Sequence, residues 1–391
     1  MPYLDNNATT RPTDAVCEAM AIANRELWQN PASIHRQGQK VRNAVELARA
    51  DIANLLAVKP RAITFTASGT ESIHLAIRGL LARHPRPILV TTALEHAAIT
   101  LLAEEIEKHH NAEIRLLPLL PGGLIDLDAA PPILEGAHLA SVQWVNNETG
   151  LIQPIEELAK LCKNAAVPLH TDATQLVGRA PIPSPLPVDL LTCSAHKFHG
   201  PKGLGILYTR PGLGLRPLFP GSEELGRRAG TLNTPAILGT AAAAREAIDW
   251  LEHQNGGDTS TTRGGGFQPP ITHLQSLRNH LESAILKDCP GSTINCADSP
   301  RLWTTTSLAF PGLDAEALLI LLSEKGLAAS AGAACSSGAR EPSKVLLAMG
   351  VGEREAHGTI RLSLSRFTTK PDITEAIEIT TAAVTRLHGG G

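Results

Sequence analysis

The sequence predicts an α/β fold: a mostly parallel sheet covered by helices on both faces, followed by a smaller second unit. Three observations carry that reading. Short apolar runs alternate with helical periodicities through the first half of the chain, the length of 391 residues exceeds one ordinary core, and a low-complexity stretch near residue 254 divides the chain.

Taken in order, Val41, Val45, Ala48, Ile52 and Leu55 recur at helical spacing between Val41 and Val58, and Ile63 to Thr66 then reads as a strand. A helix follows at once. The alternation continues with strand Ile88 to Thr92, a helix after Glu95, strand Leu139 to Val145, helix Ile155 to Lys163 and strand Leu169 to Thr171. Such units stack as parallel strands joined by helical crossovers. The apolar runs Asp189 to Cys193 and Gly205 to Tyr208 bracket SAHKFHGPKG, placing Lys197 in a connecting loop at the sheet edge. After the Ala-rich helix from Ala236 to His253 comes QNGGDTSTTRGGGFQPP, too poor in apolar side chains to pack a core, so 254–270 reads as an exposed insertion. Beyond it lie helix His273 to Lys287, strand Thr304 to Phe310, helix Asp314 to Lys325 and a terminal helix from near Asp372.

Hydrophobic residues make up 43% of the chain and aromatics 3%, so Ala, Leu, Ile and Val must build the core. A net charge of −3 supplies no basic field for nucleic acid or an anionic membrane, and no apolar run is long enough to span a bilayer. Six cysteines without C-x-x-C spacing suggest neither a disulfide framework nor a metal site and fit a reducing cytoplasm. Cys17, Cys162, Cys193, Cys289 and Cys296 read as buried filler, whereas Cys335 sits in a run of tiny residues that cannot pack a core and reads as a mobile loop presenting a nucleophile.

Four segments could carry chemistry. At Thr66 to Ser72 a strand ends in small hydroxyl residues and a helix begins, so free N–H groups, the helix dipole and Thr70 could hold an anion, with Gly69 permitting close approach; an ordinary N-cap explains the same residues. Lys197, flanked by Ser194, His196 and Phe198, could be desolvated enough to act as a neutral amine, although most lysines are solvated charges. The Lys202-Gly203 pair fails the P-loop pattern. Asp172 ends a strand where open α/β sheets bind ligands, and could equally cap the next turn. Cys335 is the fourth.

Together these segments, in this order, make the chain resemble the cysteine desulfurases of the iron–sulfur assembly and nitrogen-fixation group, within the class V aminotransferases. YLDNNATT, NPASIHRQG, ITFTASGTES, LEHAAI, VNNETG, HTDATQ, SAHKFHGPKG, RAGTLNTP, GAACSSGAREPS and IRLSLSRFTT carry the resemblance over nearly the whole length. It implies the pyridoxal-phosphate transferase fold of type I, with a seven-stranded sheet in a large domain (13–255) and a smaller α+β domain formed by 1–12 with 271–391. Pyridoxal 5'-phosphate is the implied cofactor: Lys197 is its covalent tether, Asp172 holds the ring nitrogen, Gln175 the phenolic oxygen, and His96 stacks on the ring and serves in acid–base chemistry. Gly69, Thr70, Ser194 and His196 would hold the phosphate, with Thr231 reaching in from a second subunit of a homodimer. Asn147 contacts cofactor and substrate, and Arg361 binds the carboxylate of L-cysteine, with Arg366 a weaker candidate. The implied reaction converts cysteine to alanine and leaves a persulfide on Cys335 for a sulfur-acceptor protein or scaffold in iron–sulfur cluster assembly or tRNA thiolation. Selenocysteine lysis, another reaction on the same fold, and a non-catalytic sulfur carrier are the rival readings.

Overall fold

The computed structural model describes residues 1–254, 269–332 and 342–389; Cys335 and the central part of the expected insertion lie outside the described residues. The chain opens with α1 (Asp14–Glu26) and α2 (Arg36–Leu55), then alternates β1 (Ile63–Thr66), α3 (Gly69–Leu81), β2 (Ile88–Thr91), α4 (Ala97–His110), β3 (Glu113–Leu116), α5 (Ala130–Leu134), β4 (Leu139–Gln143), α6 (Ile155–Asn164), β5 (Leu169–Asp172), β6 (Leu190–Ser194) and β7 (Gly205–Thr209). After α7 (Thr234–Glu252) come α8 (Ile271–Asp288), β8 (Thr293–Ile294), β9 (Thr305–Ala309), α9 (Ala315–Glu324), β10 (Ser330–Ala331), α10 (Lys344–Ala348), α11 (Glu353–His357), β11 (Thr359–Ser363) and α12 (Lys370–Gly389). Among the described residues no helix is long and apolar enough to cross a membrane.

The first sheet has the order β1-β7-β6-β5-β4-β2-β3. β7 runs antiparallel to both neighbours, and every other pairing is parallel. The reversal follows from chain length: the stretch between Ser194 and Gly205 is too short for a helical crossover, so the strand must turn back. The parallel strands consequently release the chain at one common edge, which collects the turns after Thr66, Thr91, Gln143, Asp172 and Ser194.

A second sheet has the order β10-β11-β9-β8, and the N-terminus joins it through parallel bridges of Tyr3 with Ala328 and Asp5 with Ser363. The first residues thus start in the small sheet and continue to the edge of the large one. Low aromatic content is met by close helix approach: α7 packs its alanines against α1 and α2, and a Cβ at Gly239 would lie 2.7 Å from Met20 Cγ.

Several expected elements shift. The helix anticipated from Val41 begins at Arg36, because His35 caps it through Gly38 N–H, and the terminal helix starts before Asp372 because Thr369 and Asp372 bond reciprocally at its head. Helix α1 buries only Val16 and Ala23 completely, which leaves Cys17 exposed on the next position round the helix; it is not buried filler, and Cys296 is only half-buried. Cys162, Cys193 and Cys289 are buried as expected.

The close pairing of β1 with β7 sets the turn between β1 and α3. A Cβ at Gly205 would stand 2.1 Å from the Ser68 carbonyl oxygen and 2.3 Å from its carbon, and neither backbone atom can yield cheaply. Gly205→Ala is therefore expected to destabilise the fold by about 1–3 kcal/mol and displace the head of α3, measured by urea denaturation and by the affinity for inorganic phosphate or a phosphorylated ligand.

Candidate active site

The turn after β1 becomes the head of α3. Ser68 caps it by accepting from Glu71 N–H at 3.1 Å, and Gly69 N–H donates to Ser194 Oγ at 3.2 Å. A Cβ at Gly69 would come within 3.2 Å of that same hydroxyl, so glycine lets β1 and β6 deliver both residues to one point. Thr70 is exposed beside them. The full-length helix adds its positive end to this cradle.

Lys197 lies in the short helical turn after β6, and its ammonium donates to the carbonyl oxygens of Asn7 and, at 2.8 Å, Ala8. The N-terminal strap therefore forms the lysine's immediate surroundings. Burial, then Arg179 and Arg361, push its pKa down to about 8 against the opposing pull of Asp172 and Asp5. Arg179 organises the floor: its guanidinium donates to Asn6 O (2.9 Å), Asn7 Oδ1 (2.7 Å), Gln175 Oε1 (2.6 Å) and the Lys197 carbonyl (3.0 and 3.1 Å). Gln175 in turn donates to Asn7 O at 3.1 Å.

Asp172 closes β5, 4% exposed, with Oδ1 accepting from Thr174 N–H at 3.0 Å. No described residue donates to its other oxygen, which is left for a ligand's proton. His96 caps α4 by accepting from Ala98 N–H through Nδ1, so the neutral ring carries its proton on Nε2. Burial and then Lys197 push its pKa down, while Asp172 raises it. His196 Nδ1 is 3.1 Å from Thr9 Oγ1, and burial followed by Lys197 lowers it to about 4.

Two residues before Asp172 on β5, His170 spans Ser141 Oγ (2.8 Å) and Thr192 Oγ1 (3.1 Å), and complete burial holds it down to about 3. This neutral link ties β4, β5 and β6 together behind the site. Glu95 receives Thr92 Oγ1 at 2.7 Å and Gln143 N–H at 2.9 Å, which oppose the burial and the Asp172 charge that raise it to about 8.

The VNNETG segment connects the two sheets. Asn146 donates to Leu94 O, Asn147 Oδ1 accepts from Gln143, and the Asn147 carbonyl accepts from Arg361 at 3.0 Å. Arg361 also pairs with Asp5 at 2.8 Å, and its buried Nε has no partner among the described residues. Arg366 is placed differently: it pairs with Glu246 at 3.1 Å and lies over the Trp250 and Phe367 rings, while its buried Nε and Nη1 have no partner among the described residues. Thr231 is exposed and lines a cavity of about 230 Å³ with Thr66, Ala67 and Arg228.

The structure thus brings Lys197, Asp172, His96, Gln175, Asn147, Arg361, Gly69, Ser194 and His196 to the common strand edge and its flanking strap. Sequence reasoning missed Arg179, His170, Glu95 and the strap carbonyls. Arg179 had one signal, its i+4 spacing from Gln175; a backbone carbonyl has none. The donor set suits a phosphorylated pyridine aldehyde: an anion cradle, a carboxylate with one free oxygen, and a desolvated amine.

A family model described as Aminotransferase class-V matches residues 2–375. The cysteine desulfurase NifS of Azotobacter vinelandii is 39% identical over 391 residues, covering 99% of this chain and 93% of that protein. A cysteine desulfurase of Cereibacter sphaeroides is also 39% identical, covering 99% and 96%. Among solved structures, a NifS-like protein superposes with a TM-score of 0.87 at 32% identity over 99% of this chain and 100% of that one. SspA in complex with cysteine gives 0.78 at 29% identity over 94% and 100%.

With a pKa near 8, about a tenth of Lys197 is neutral at pH 7, against roughly three molecules in ten thousand for an unperturbed lysine. The neutral amine is the nucleophile, so its capture of an aldehyde should rise with pH and level off above about 8. Borohydride trapping of pyridoxal phosphate on the cofactor-free protein across pH 6–10 checks this; a midpoint near 10.5 would contradict the burial argument.

Proposed function

The chain belongs to the class V aminotransferase family, and from that premise we propose that it is a pyridoxal-phosphate-dependent cysteine desulfurase, converting L-cysteine to L-alanine with transfer of sulfur to Cys335. The observation that carries the reading is the desolvated Lys197 amine set between strap carbonyls, with Asp172 and the α3 cradle on the same edge.

The cofactor would rest with its phosphate at Gly69, Thr70, Ser194 and His196, its ring nitrogen at Asp172, its phenolic oxygen near Gln175, and one face under His96. Bound there, pyridoxal phosphate supplies an electron sink for the pair left when the substrate's α C–H bond breaks. The residues do the rest. Lys197 Nζ takes the α proton, because its lowered pKa keeps a far larger share of the amine in the neutral form than a solvated lysine has. Arg361, with Asn147 beside it, fixes the substrate carboxylate and hence the direction of that bond. His96, with its proton on Nε2, governs protonation at the substrate sulfur. The Cys335 thiolate then attacks that sulfur: an S–S bond forms, the C–S bond breaks, and the electron pair stays with the carbon that becomes the alanine methyl.

We further propose a large unit of residues 13–255 and a small one of 1–12 with 271–391, each with its own sheet, the strap bridging them. A homodimer is supported by the large apolar side chains left exposed on the large unit, including Trp28, Ile34, Phe219 and Leu225, with Thr231 offered to the second subunit's phosphate site. The work is placed in the cytoplasm, with the persulfide passed to an acceptor protein for iron–sulfur cluster assembly or tRNA thiolation.

After incubation with cysteine, mass spectrometry should find one added sulfur on the Cys335 peptide together with stoichiometric alanine. Cys335→Ala should retain the yellow cofactor and lose sulfide release at least a hundredfold, whereas Lys197→Ala should lose alanine formation as well, by on the order of a thousandfold or more. Undiminished sulfide from Cys335→Ala excludes the assigned nucleophile. A colourless protein that pyridoxal phosphate cannot reconstitute would favour a non-catalytic sulfur carrier.

A further inference from the structure

Trp303 stands between β8 and β9, 4% exposed, and its indole N–H donates to the backbone carbonyl of Arg179 at 2.9 Å. No other described residue donates to that carbonyl. The backbone just before it is wedged against the residue next to the lysine: Gly178 has φ +72°, and a Cβ there would lie 2.6 Å from Phe198 Cβ. The side chain of Arg179 is thus committed to the strap, Gln175 and the Lys197 carbonyl, while its main chain is held by Trp303. The segment carrying Trp303 meets the site in other places too. Leu302 N–H donates to Gly150 O at 2.9 Å, Ile152 N–H donates to Pro300 O at 2.8 Å, and Asn7 Nδ2 donates to Thr305 Oγ1 at 2.9 Å. A buried indole needs some acceptor for its one donor. Trp250, edge-on to Trp303 at 5.7 Å between ring centres, finds its own at Pro269 O (3.1 Å), whereas Trp303 directs its donor to the residue that holds the lysine.

We propose that Trp303 is a positioning residue for Lys197 that acts through Arg179, fixing the Arg179 main chain so that its guanidinium stays between the strap and the Lys197 carbonyl. The inference rests on the reading of Lys197 as the cofactor's tether. After burial, Arg179 is the strongest of the influences that lower the Lys197 amine, ahead of Arg361 and against Asp172 and Asp5; the rings of His96 and His196 lie within its field as well. Trp303 bonds to none of these other groups, so its loss is felt through Arg179. A guanidinium that drifts from its place repels the ammonium less, and the amine moves toward the ordinary lysine value.

The test compares Trp303→Phe, which keeps an aromatic ring and lacks the donor, with Trp250→Phe, which disturbs the same aromatic pair and leaves the Arg179 carbonyl its partner. In cofactor-free protein the midpoint of borohydride-trapped pyridoxal phosphate should rise from about 8 by about half a unit or more in Trp303→Phe and stay in place in Trp250→Phe. In the loaded enzyme kcat for alanine formation should fall about three- to tenfold in Trp303→Phe, with KM for cysteine held within about twofold. Where Trp303→Phe does not fold, fluorine NMR of the wild-type chain labelled with 5-fluorotryptophan replaces it: the Trp303 resonance should move when Lys197 is reductively labelled, and that of exposed Trp28 should not. An unmoved midpoint, equal shifts in both variants, or a stationary Trp303 resonance overturns the inference. If the wild-type protein captures no pyridoxal phosphate at Lys197, the proposed function falls with it; if wild-type capture is centred near 8 and Trp303→Phe matches it, this inference alone fails.

Discussion

The site is built around one buried cation. Arg179 has no solvent to satisfy it, and its donors go to the strap at Asn6 and Asn7, to Gln175 and to the Lys197 carbonyl. Burial and the neighbouring Arg361 pull its own pKa down to about 9, so its retention of charge depends on those acceptors staying in place. Remove the strap and a guanidinium is left enclosed without partners; remove the guanidinium and the strap loses its hold on the lysine. The same positive charge lowers the Lys197 pKa, so one interaction both positions the amine and helps keep it neutral.

A second constraint is the polar continuity between sheets. Asn7 donates to the Asn147 carbonyl and to Thr305 Oγ1, linking the strap to the VNNETG turn and to β9. Arg361 on β11 reaches that turn and Asp5 at once. Each bond is of modest net value, about 1 kcal/mol, but they share members, so displacing any one residue leaves several buried groups unpaired. Arg361, the proposed carboxylate ligand, is thereby held in register with the lysine, although the two belong to different sheets.

Much of this was legible in the chain. Helical spacing and strand-length apolar runs placed the alternating elements of the large sheet, because each crossover helix needs one apolar stripe and each central strand is buried on both faces. Less legible were α1, whose buried positions are few, the edge strand β3 with Glu113 and Arg115, and the two-residue strands β8 and β10, whose pairing is tertiary. The misreading of Cys17 has the same origin: its helix touches the core through a narrow stripe, and a cysteine carries no mark of which side of that stripe it occupies.

By itself the sequence determined the alternation of elements and the glycine–hydroxyl turn ahead of α3, since these depend on local periodicity and residue chemistry; Lys197 and Asp172 stood out as candidates on the same grounds, and Arg361 only through the resemblance. Tertiary structure alone decided that Asn7 and Ala8 would supply the lysine's acceptors, that Arg179 would join strap to floor, and that Trp303 would hold the Arg179 carbonyl. Those contacts join residues far apart in the chain and often through backbone atoms common to every residue type. No side-chain pattern encodes them; they exist only once β7 reverses, the other strands of the large sheet share an edge, and the N-terminus crosses from one sheet to the other.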